Sequence, residues 1–238
     1  MSSQNNKSIM DGIRCLQEIS KQDKPLGCRE MARMMNLDPA RVNRLLMTLE
    51  EEGILIKNSK KKYLPGPGIY VLSAQCLQHS SLINQIFKAI EALPPKKYSL
   101  AVGFLWQTDI TYLFHGKPGS GLSSGMRKTV AYYALESSIG QILLANKTMQ
   151  ELKDTFGAEA LKKYDYNQNY KNTLKTQNYC TLIREYNKAN IYSIATSIDN
   201  FPFAGIAITN IETTTKEEDV LAELFEIKTS ITTSLSNT

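Results

Sequence analysis

The sequence predicts an α+β chain of two modules. A helical start closes on a short β-hairpin, and a larger module of antiparallel strands carries helices packed on it. Three observations lead there. Before Gly53, apolar residues recur at three- and four-residue steps, and two short strand-like runs then flank a lysine cluster. Further on, SLAVGFLW (99–106), DITYLFHG (109–116), Ile191–Ile198 and Phe203–Thr209 read as strands, with helical patterns between and after them. Finally, residues 1–66 hold 12 Lys and Arg against 8 Asp and Glu, while residues 67–238 hold 16 against 15, so the excess of basic charge is concentrated in the first module.

The 238 residues are enough for one large domain or two small ones, and the hydrophobic share of 42% can fill their cores. The longest uncharged apolar run, near Ser99–Trp106, is far too short for a bilayer. MSSQNNKS at the start lacks the apolar core of a secretion signal, so a cytoplasmic address and no membrane partner are expected. Cys15, Cys28, Cys76 and Cys180 lie far apart, and His79 and His115 are the two histidines, which argues against structural zinc. No cofactor is expected.

In the first helix Ile9, Ile13, Leu16 and Ile19 form the expected inner stripe, with Ser8 as N-cap. CREMARMMN follows as a short helix, with Met31, Met34 and Met35 as its core. Asp38 is placed to cap a third helix, and Pro39 suits its first position because proline has no N–H to lose. Val42, Leu45, Leu46 and Leu49 fall on one side of that helix. Ala40, Arg44, Met47 and Thr48 point broadly away, with Arg41 and Asn43 on the flanks. Arginine carries a rigid donor fork suited to guanine edges or phosphate, and asparagine suits adenine edges. The acidic run Glu50–Glu52 is unfavourable at a helix C-terminus and would repel phosphate, so this end should tilt away from DNA. Next, Ile54–Ile56 and Tyr63–Leu64 read as two strands around a basic tip, Lys57 to Lys62, a winged helix-turn-helix arrangement. Lysines at a hairpin tip suit phosphate, which gives affinity rather than sequence choice. The candidate DNA contacts are Pro39, Ala40, Arg41, Asn43, Arg44, Thr48, Lys60, Lys61 and Lys62.

These residues also carry a resemblance. Pro25, Leu26, Glu30, Met31 and Ala32 are followed by Val42, Arg44, Leu45, Leu46, Thr48, Leu49, Glu50 and Gly53, and then by Tyr63, Gly66 and Pro67. In order and spacing they resemble the N-terminal domain of IclR-family transcriptional regulators. SSIGQILLA and IATSIDNFPFAGIAITN continue the likeness, which runs from about residue 8 to 235 and is sparse between 116 and 188. The resemblance implies a DNA-binding domain over 1–66, a linker helix over 67–80 that helps pair subunits, and a GAF-like effector domain over 81–238. It implies a homodimer or homotetramer on a double-stranded operator, controlled by a small organic effector, often a carboxylate. Its pocket would include Ser138, Ile139, Ser193, Ala207 and Thr209. Ser138 and the free N–H groups of its helix are expected to hold an anion. Two departures stand out. Leu182 lies where the family has an acidic residue in a stretch in which Tyr179 and Glu185 can be placed, and Gln141 lies where it has lysine.

Between the two modules, Ile69–Leu93 is helical in pattern with an interruption near His79–Ser81. Ile69, Leu72 and Cys76, then Ile83, Ile86, Ile90 and Leu93, supply apolar faces. KPGSGLSSGMRK lacks the Gly-Lys-Ser/Thr end of a phosphate-binding loop and reads as a loop beside a pocket. A helix is expected over 134–147, mostly helical chain over 148–189, and a closing helix over 215–235 with Val220, Leu221, Leu224, Ile227 and Ile231 inward. A Ser-His-Asp set from Ser137 or Ser138, His115 and Asp109 can be drawn, but no spacing demands it, and an enzyme is not expected. The rival expectations are a regulator whose second domain only oligomerises, and a winged-helix module that binds protein.

Overall fold

The computed structural model describes residues 5–126, 131–186, 189–211 and 215–233. The chain is α+β and divides into two compact units, Met1–Ser80 and Ser81–Thr238.

The first unit holds α1 (Lys7–Ser20), α2 (Cys28–Met35), α3 (Pro39–Glu51), β1 (Leu55–Lys57), β2 (Tyr63–Pro65) and α4 (Pro67–His79). Asp38 caps α3 as expected, its carboxylate accepting from the Arg41 N–H at 3.0 Å. Val42 and Leu46 are fully buried, with Leu45 and Leu49 packed beside them. Strands β1 and β2 pair antiparallel, and Leu26 and Tyr63 exchange backbone hydrogen bonds of 2.9 and 2.8 Å. That exchange ties the hairpin to the segment before α2.

Three expectations fail here. Asn6, not Ser8, caps α1, and Ile9 and Ile13 are exposed while Asp11, Cys15 and Ile19 face inward. The reason is electrostatic as well as apolar. Asp11 pairs with Arg41 of α3 at 2.6 Å, which turns the i, i+4, i+8 stripe Asp11–Cys15–Ile19 to the core. Met34 is also exposed, because Met31 and Ala32 already fill the inner face of a two-turn helix. Along α4 nothing is buried, and Tyr70, Val71 and Leu72 are all more than half exposed.

The helical pattern is interrupted at Ser80, and α5 (Ser81–Ala92) opens the second unit. Then come β3 (Ser99–Trp106), β4 (Asp109–Gly116), α6 (Leu122–Met126), β5 (Ala131–Tyr133), a 3₁₀ turn at Ala134–Glu136 and α7 (Ser138–Leu144). The chain continues through α8 (Met149–Phe156), α9 (Ala158–Lys163), α10 (Gln168–Gln177), β6 (Cys180–Tyr186), β7 (Ala189–Ile198), β8 (Phe201–Thr209) and α11 (Glu217–Thr233). Arg127 and Lys128 of the Gly/Ser-rich loop, the Glu185 side chain and the expected helix end at 234–235 lie outside the described residues. The six strands form one antiparallel sheet in the order β5-β4-β3-β8-β7-β6.

Two strands of that sheet depart from expectation. Strand β5, three residues long, lies where no strand is expected, and β6 lies in a stretch expected to be mostly helical. The single helix expected over 134–147 is instead a 3₁₀ turn and the shorter α7, because Ser137 interrupts it as a cap.

Each face of the sheet has its own core. Leu100, Val102, Phe114, Ile194, Ile206 and Ile208 point to α5 and α11, which contribute Leu82, Ile86, Leu224 and Ile227. The opposite face carries α7 to α10. There, Cys180, Ala195, Ala207, Ala101 and His115 stand in register across β6, β7, β8, β3 and β4. The small residues of this rung let α7 lie close. A Cβ on Gly205 would come 2.6 Å from Ile139, and one on Gly140 would come 2.1 Å from the Ala134 carbonyl.

Candidate functional site

In the first unit, α3 presents Ala40, Asn43, Arg44, Met47 and Thr48 to solvent, with Pro39 exposed at its start. The Thr48 hydroxyl donates back to the Arg44 carbonyl at 3.0 Å, and the Asn43 amide leans on the Met47 sulfur at 3.4 Å. Arg41 is two-thirds covered and committed through one guanidinium nitrogen to Asp11. A hollow of about 440 Å³ is lined by Ser8, Arg41, Arg44, Leu45 and Thr48, between the start of α1 and the outer side of α3.

Asn58 organises the hairpin tip. Its side-chain oxygen accepts from the N–H groups of Lys60 and Lys62, both at 3.0 Å, and Lys61 takes a left-handed φ of 56°. Lys60 and Lys61 are exposed. Lys62 sits 3.4 Å from Glu30, and the Gly27 N–H together with that neighbour lowers the Glu30 pKa. Lys57 pairs with Glu50 at 2.5 Å and lies over the Tyr63 ring. The acidic end of α3 is thus partly neutralised by its own hairpin, a pairing that the sequence pattern does not announce.

In the second unit, the rung next to the small one holds Leu182, Ser193, Thr209 and Ser99, in register across β6, β7, β8 and β3. Strand alternation puts these side chains on the α7 face. The Ser193 hydroxyl lies 3.2 Å from that of Ser138 and donates to the Leu182 carbonyl at 3.1 Å. Thr209 Oγ1 is 3.5 Å from the Ser99 carbonyl, and the Asn210 amide donates to the Ser99 hydroxyl at 3.0 Å. Ser138, Ser193 and Thr209 therefore share one niche. Ala207 is buried in the small rung and Ile139 is wholly enclosed against Gly205, so neither offers a side-chain polar group there. Beside the niche, Ser99, His115, Gly116, Lys117, Ser120, Ser124 and Asn210 line an open depression of about 390 Å³.

Two features of this niche go beyond the sequence expectations. The cap of α7 is Ser137, which accepts from the Gly140 N–H at 3.3 Å, leaving Ser138 to turn toward Ser193. Ser137 also meets the Tyr112 hydroxyl at 3.3 Å, and burial raises the Tyr112 pKa. The second feature is Arg184, whose guanidinium stands 5.4 Å from the centre of the Tyr132 ring. Its one sequence signal is the alternation Cys180, Leu182, Arg184, which puts all three on the α7 face.

The Gln141 side chain is wholly occupied. Its amide donates to the Leu135 carbonyl at 2.8 Å, and its oxygen accepts from Tyr170 at 2.6 Å and from Cys180 at 3.5 Å. Burial pushes the Cys180 thiol up to about 11, so it is not a nucleophile at neutral pH. The Ser-His-Asp set does not assemble. Asp109 opens β4 and His115 stands near its end, so at strand rise the two are about 20 Å apart. Among the described residues no cluster of His, Cys, Asp or Glu could hold a metal, and no helix is long and apolar enough to cross a membrane.

The two units together define a class: a basic unit of three helices, a hairpin and a fourth helix, followed by a six-stranded unit with a hydroxyl-lined niche. Solved structures similar to this chain include proteins described as transcriptional regulators. The IclR family transcriptional regulator of Brucella abortus aligns over 98% of this chain and 94% of its own, with a TM-score of 0.74 at 18% identity. The IclR transcriptional regulator of Alicyclobacillus acidocaldarius aligns over 97% and 99%, with a TM-score of 0.66 at 14% identity. An IclR homologue from Microbacterium hydrocarbonoxydans, solved with 4-hydroxybenzoate, aligns over 98% and 100%, with a TM-score of 0.62 at 14% identity. No protein-family model and no curated protein matches the sequence. The chain thus has the fold of IclR-family transcriptional regulators along nearly its whole length.

Proposed function

We propose that this chain is a cytoplasmic, sequence-specific DNA-binding transcriptional regulator of the IclR type, controlled by a small organic effector of carboxylate type. Residues 1–66 are a winged helix-turn-helix, 67–80 a linker helix, and 81–238 a GAF-like domain for effector binding and oligomerisation. The observation that carries this is the Asp38–Pro39 start of α3, which leaves Asn43, Arg44 and Thr48 outermost beside a lysine-tipped hairpin.

In this reading α3 enters the major groove N-terminus first, where Ala40 permits close approach. Arg44 and Asn43 face base edges. Arg41, already held by Asp11, has donors left for a phosphate, and the hollow shared by Ser8, Arg41, Arg44 and Thr48 has room for one. Lys60 and Lys61 supply further phosphate contact, with Lys62 shared between Glu30 and the backbone of DNA. The uncovered apolar residues of α4 are covered by a second copy, so a homodimer, or a tetramer built from it, reads two half-sites. The 4-hydroxybenzoate of the Microbacterium homologue is a small carboxylate. Here the niche around Ser138, Ser193 and Thr209 is the corresponding binding place. An effector acts by binding one subunit arrangement better than another, which changes half-site spacing.

The test is titration of the full chain on its operator at several salt concentrations. Arg44→Ala should weaken cognate binding by ~1–3 kcal/mol and relax base choice at one position. Replacing Lys60 and Lys61 by alanine should instead weaken all duplexes alike and flatten the salt slope by about one unit per lost phosphate contact. An Arg44→Ala protein with unchanged operator affinity would remove the assignment of α3.

A further inference from the structure

The edge strands of the second unit lie at opposite ends of the sheet order, with four strands between them. Laid flat, five strand spacings would separate β5 from β6 by about 24 Å. Yet Arg184 of β6 stands 5.4 Å from the centre of the Tyr132 ring on β5. The sheet therefore curls, so that long side chains from its two edge strands meet on the α7 side. Arg184 and Tyr132 therefore close over the same face that bears Ser193 and Thr209. The aromatic wall continues inward. Tyr132 lies 5.1 Å from Tyr112, and Tyr112 lies 5.4 Å from His115, centroid to centroid.

The surroundings of Arg184 are unusual for a partly covered guanidinium. Its described contacts are the Tyr132 ring and the neighbourhood of the Tyr112 hydroxyl, which itself meets Ser137 beside Ser138. Leu182, two residues back on the same face, brings no charge. Among the described residues no carboxylate is paired with Arg184. A planar cation over an aromatic ring gains some attraction, but it leaves a fork of donors without the anion that normally fills it. The hydroxyls of Ser138 and Ser193 lie on the same face as additional donors.

Resting on the effector reading above, we propose that Arg184 selects the effector's charge: its guanidinium takes the carboxylate of a planar organic acid whose body lies against Tyr132 and Tyr112. The ligand carboxylate fills the guanidinium fork, and the tyrosine rings supply a flat apolar wall. Neutral ligands of the same shape keep the wall and lose the fork.

The experiment is isothermal titration of the full-length protein with benzoate and with its neutral isostere benzamide, repeated on Arg184→Gln and Arg184→Lys. In the parent protein, benzoate should bind at least tenfold more tightly than benzamide. Arg184→Gln should lose that preference, with benzoate weakened tenfold or more and benzamide within twofold of its parent value. Arg184→Lys keeps the charge but not the fork, and should fall between the two. It also serves as the readout if the glutamine protein does not fold. Equal binding of the two probes by the parent, or benzoate binding untouched by both substitutions, overturns the role of Arg184 while leaving a ligand pocket in place. Failure of the parent to bind either probe overturns the proposal for planar acids and removes support from the effector reading as well.

Discussion

Replacing Gln141 by alanine tests the packing of the second unit most directly, because every polar atom of that side chain is spent. Its amide donates to the Leu135 carbonyl, and its oxygen accepts from Tyr170 and Cys180 inside a core that leaves the residue 5% exposed. Truncation strands the Leu135 carbonyl and removes the acceptor of a half-buried tyrosine. An unsatisfied buried group costs roughly 1–3 kcal/mol, and Tyr170 falls at the low end because water can reach it. The one lost methylene adds about 0.8 kcal/mol. The total is about 4 kcal/mol, and for a unit of this size each kcal/mol moves the melting midpoint by about 2–4 °C. Gln141→Ala should therefore melt about 8–16 °C below the parent by circular dichroism.

A carboxyl at the same position sharpens the test. In Gln141→Glu one oxygen can still accept from Tyr170, but the other faces the Leu135 carbonyl and needs a proton to donate. Burial and that acceptor raise the folded-state pKa above the ordinary carboxyl value. Stability is then fully present below about pH 4 and is lost as pH rises through the raised folded pKa, by about 1.4 kcal/mol for each pH unit between the unfolded and folded values. The Gln141→Glu protein should approach the parent near pH 4 and fall well below it at pH 7, each compared at the same pH. An alanine variant melting within 2 °C of the parent, or a glutamate variant with the parent's pH profile, would refute the reasoning.

Two further outcomes test the first unit. Asp11→Ala strands a guanidinium that is one-third exposed and now paired at 2.6 Å, so a loss of about 1–2 kcal/mol is expected in chemical denaturation. Operator affinity should weaken with it, because Arg41 loses its fixed pose, and an unchanged midpoint would show that Asp11 does not set the orientation of α1. Leu72 is 54% exposed on a helix that buries nothing of its own. Leu72→Glu should shift the protein toward monomer in sedimentation velocity, and an unchanged oligomer would place the subunit contact elsewhere.

What is legible in the sequence follows from how local the determinants are. Asp38 and Pro39 fix the start of α3 by chemistry within three residues, and β3 and β4 have the bounds that their strand-like runs indicate. Strand β6 is not legible because its inward residues, Cys180, Leu182 and Arg184, alternate in position but not in polarity. Only the partner strand β7 makes it a strand. The face of α1 misleads for a related reason. Ile9 and Ile13 make the more apolar stripe, but an ion pair with Arg41, thirty residues away in sequence, decides which side turns in. Of the niche residues, Ser138, Ser193 and Thr209 come together, while the roles of Ser137 and Arg184 depend on neighbours across the sheet that no local pattern reveals.

The two departures from the IclR pattern, Gln141 and Leu182, have different physical meanings. Gln141 faces α10 and β6, where its neutral amide matches a carbonyl, a phenol and a thiol. A lysine there offers donors only, so it cannot accept from Tyr170 or Cys180, and its charge would be buried among neutral groups. Gln141 therefore belongs to the scaffold beneath α7. Leu182 stands on the rung of Ser193 and Thr209, two residues from Arg184 on the same face. An acid at that position would add a negative charge close to the guanidinium and compete for it. With leucine there, the charge of Arg184 is left to whatever enters the niche. A glutamine that completes the core and a leucine that leaves an arginine uncompensated are thus consistent with one arrangement: a rigid floor of hydroxyls under a cationic rim.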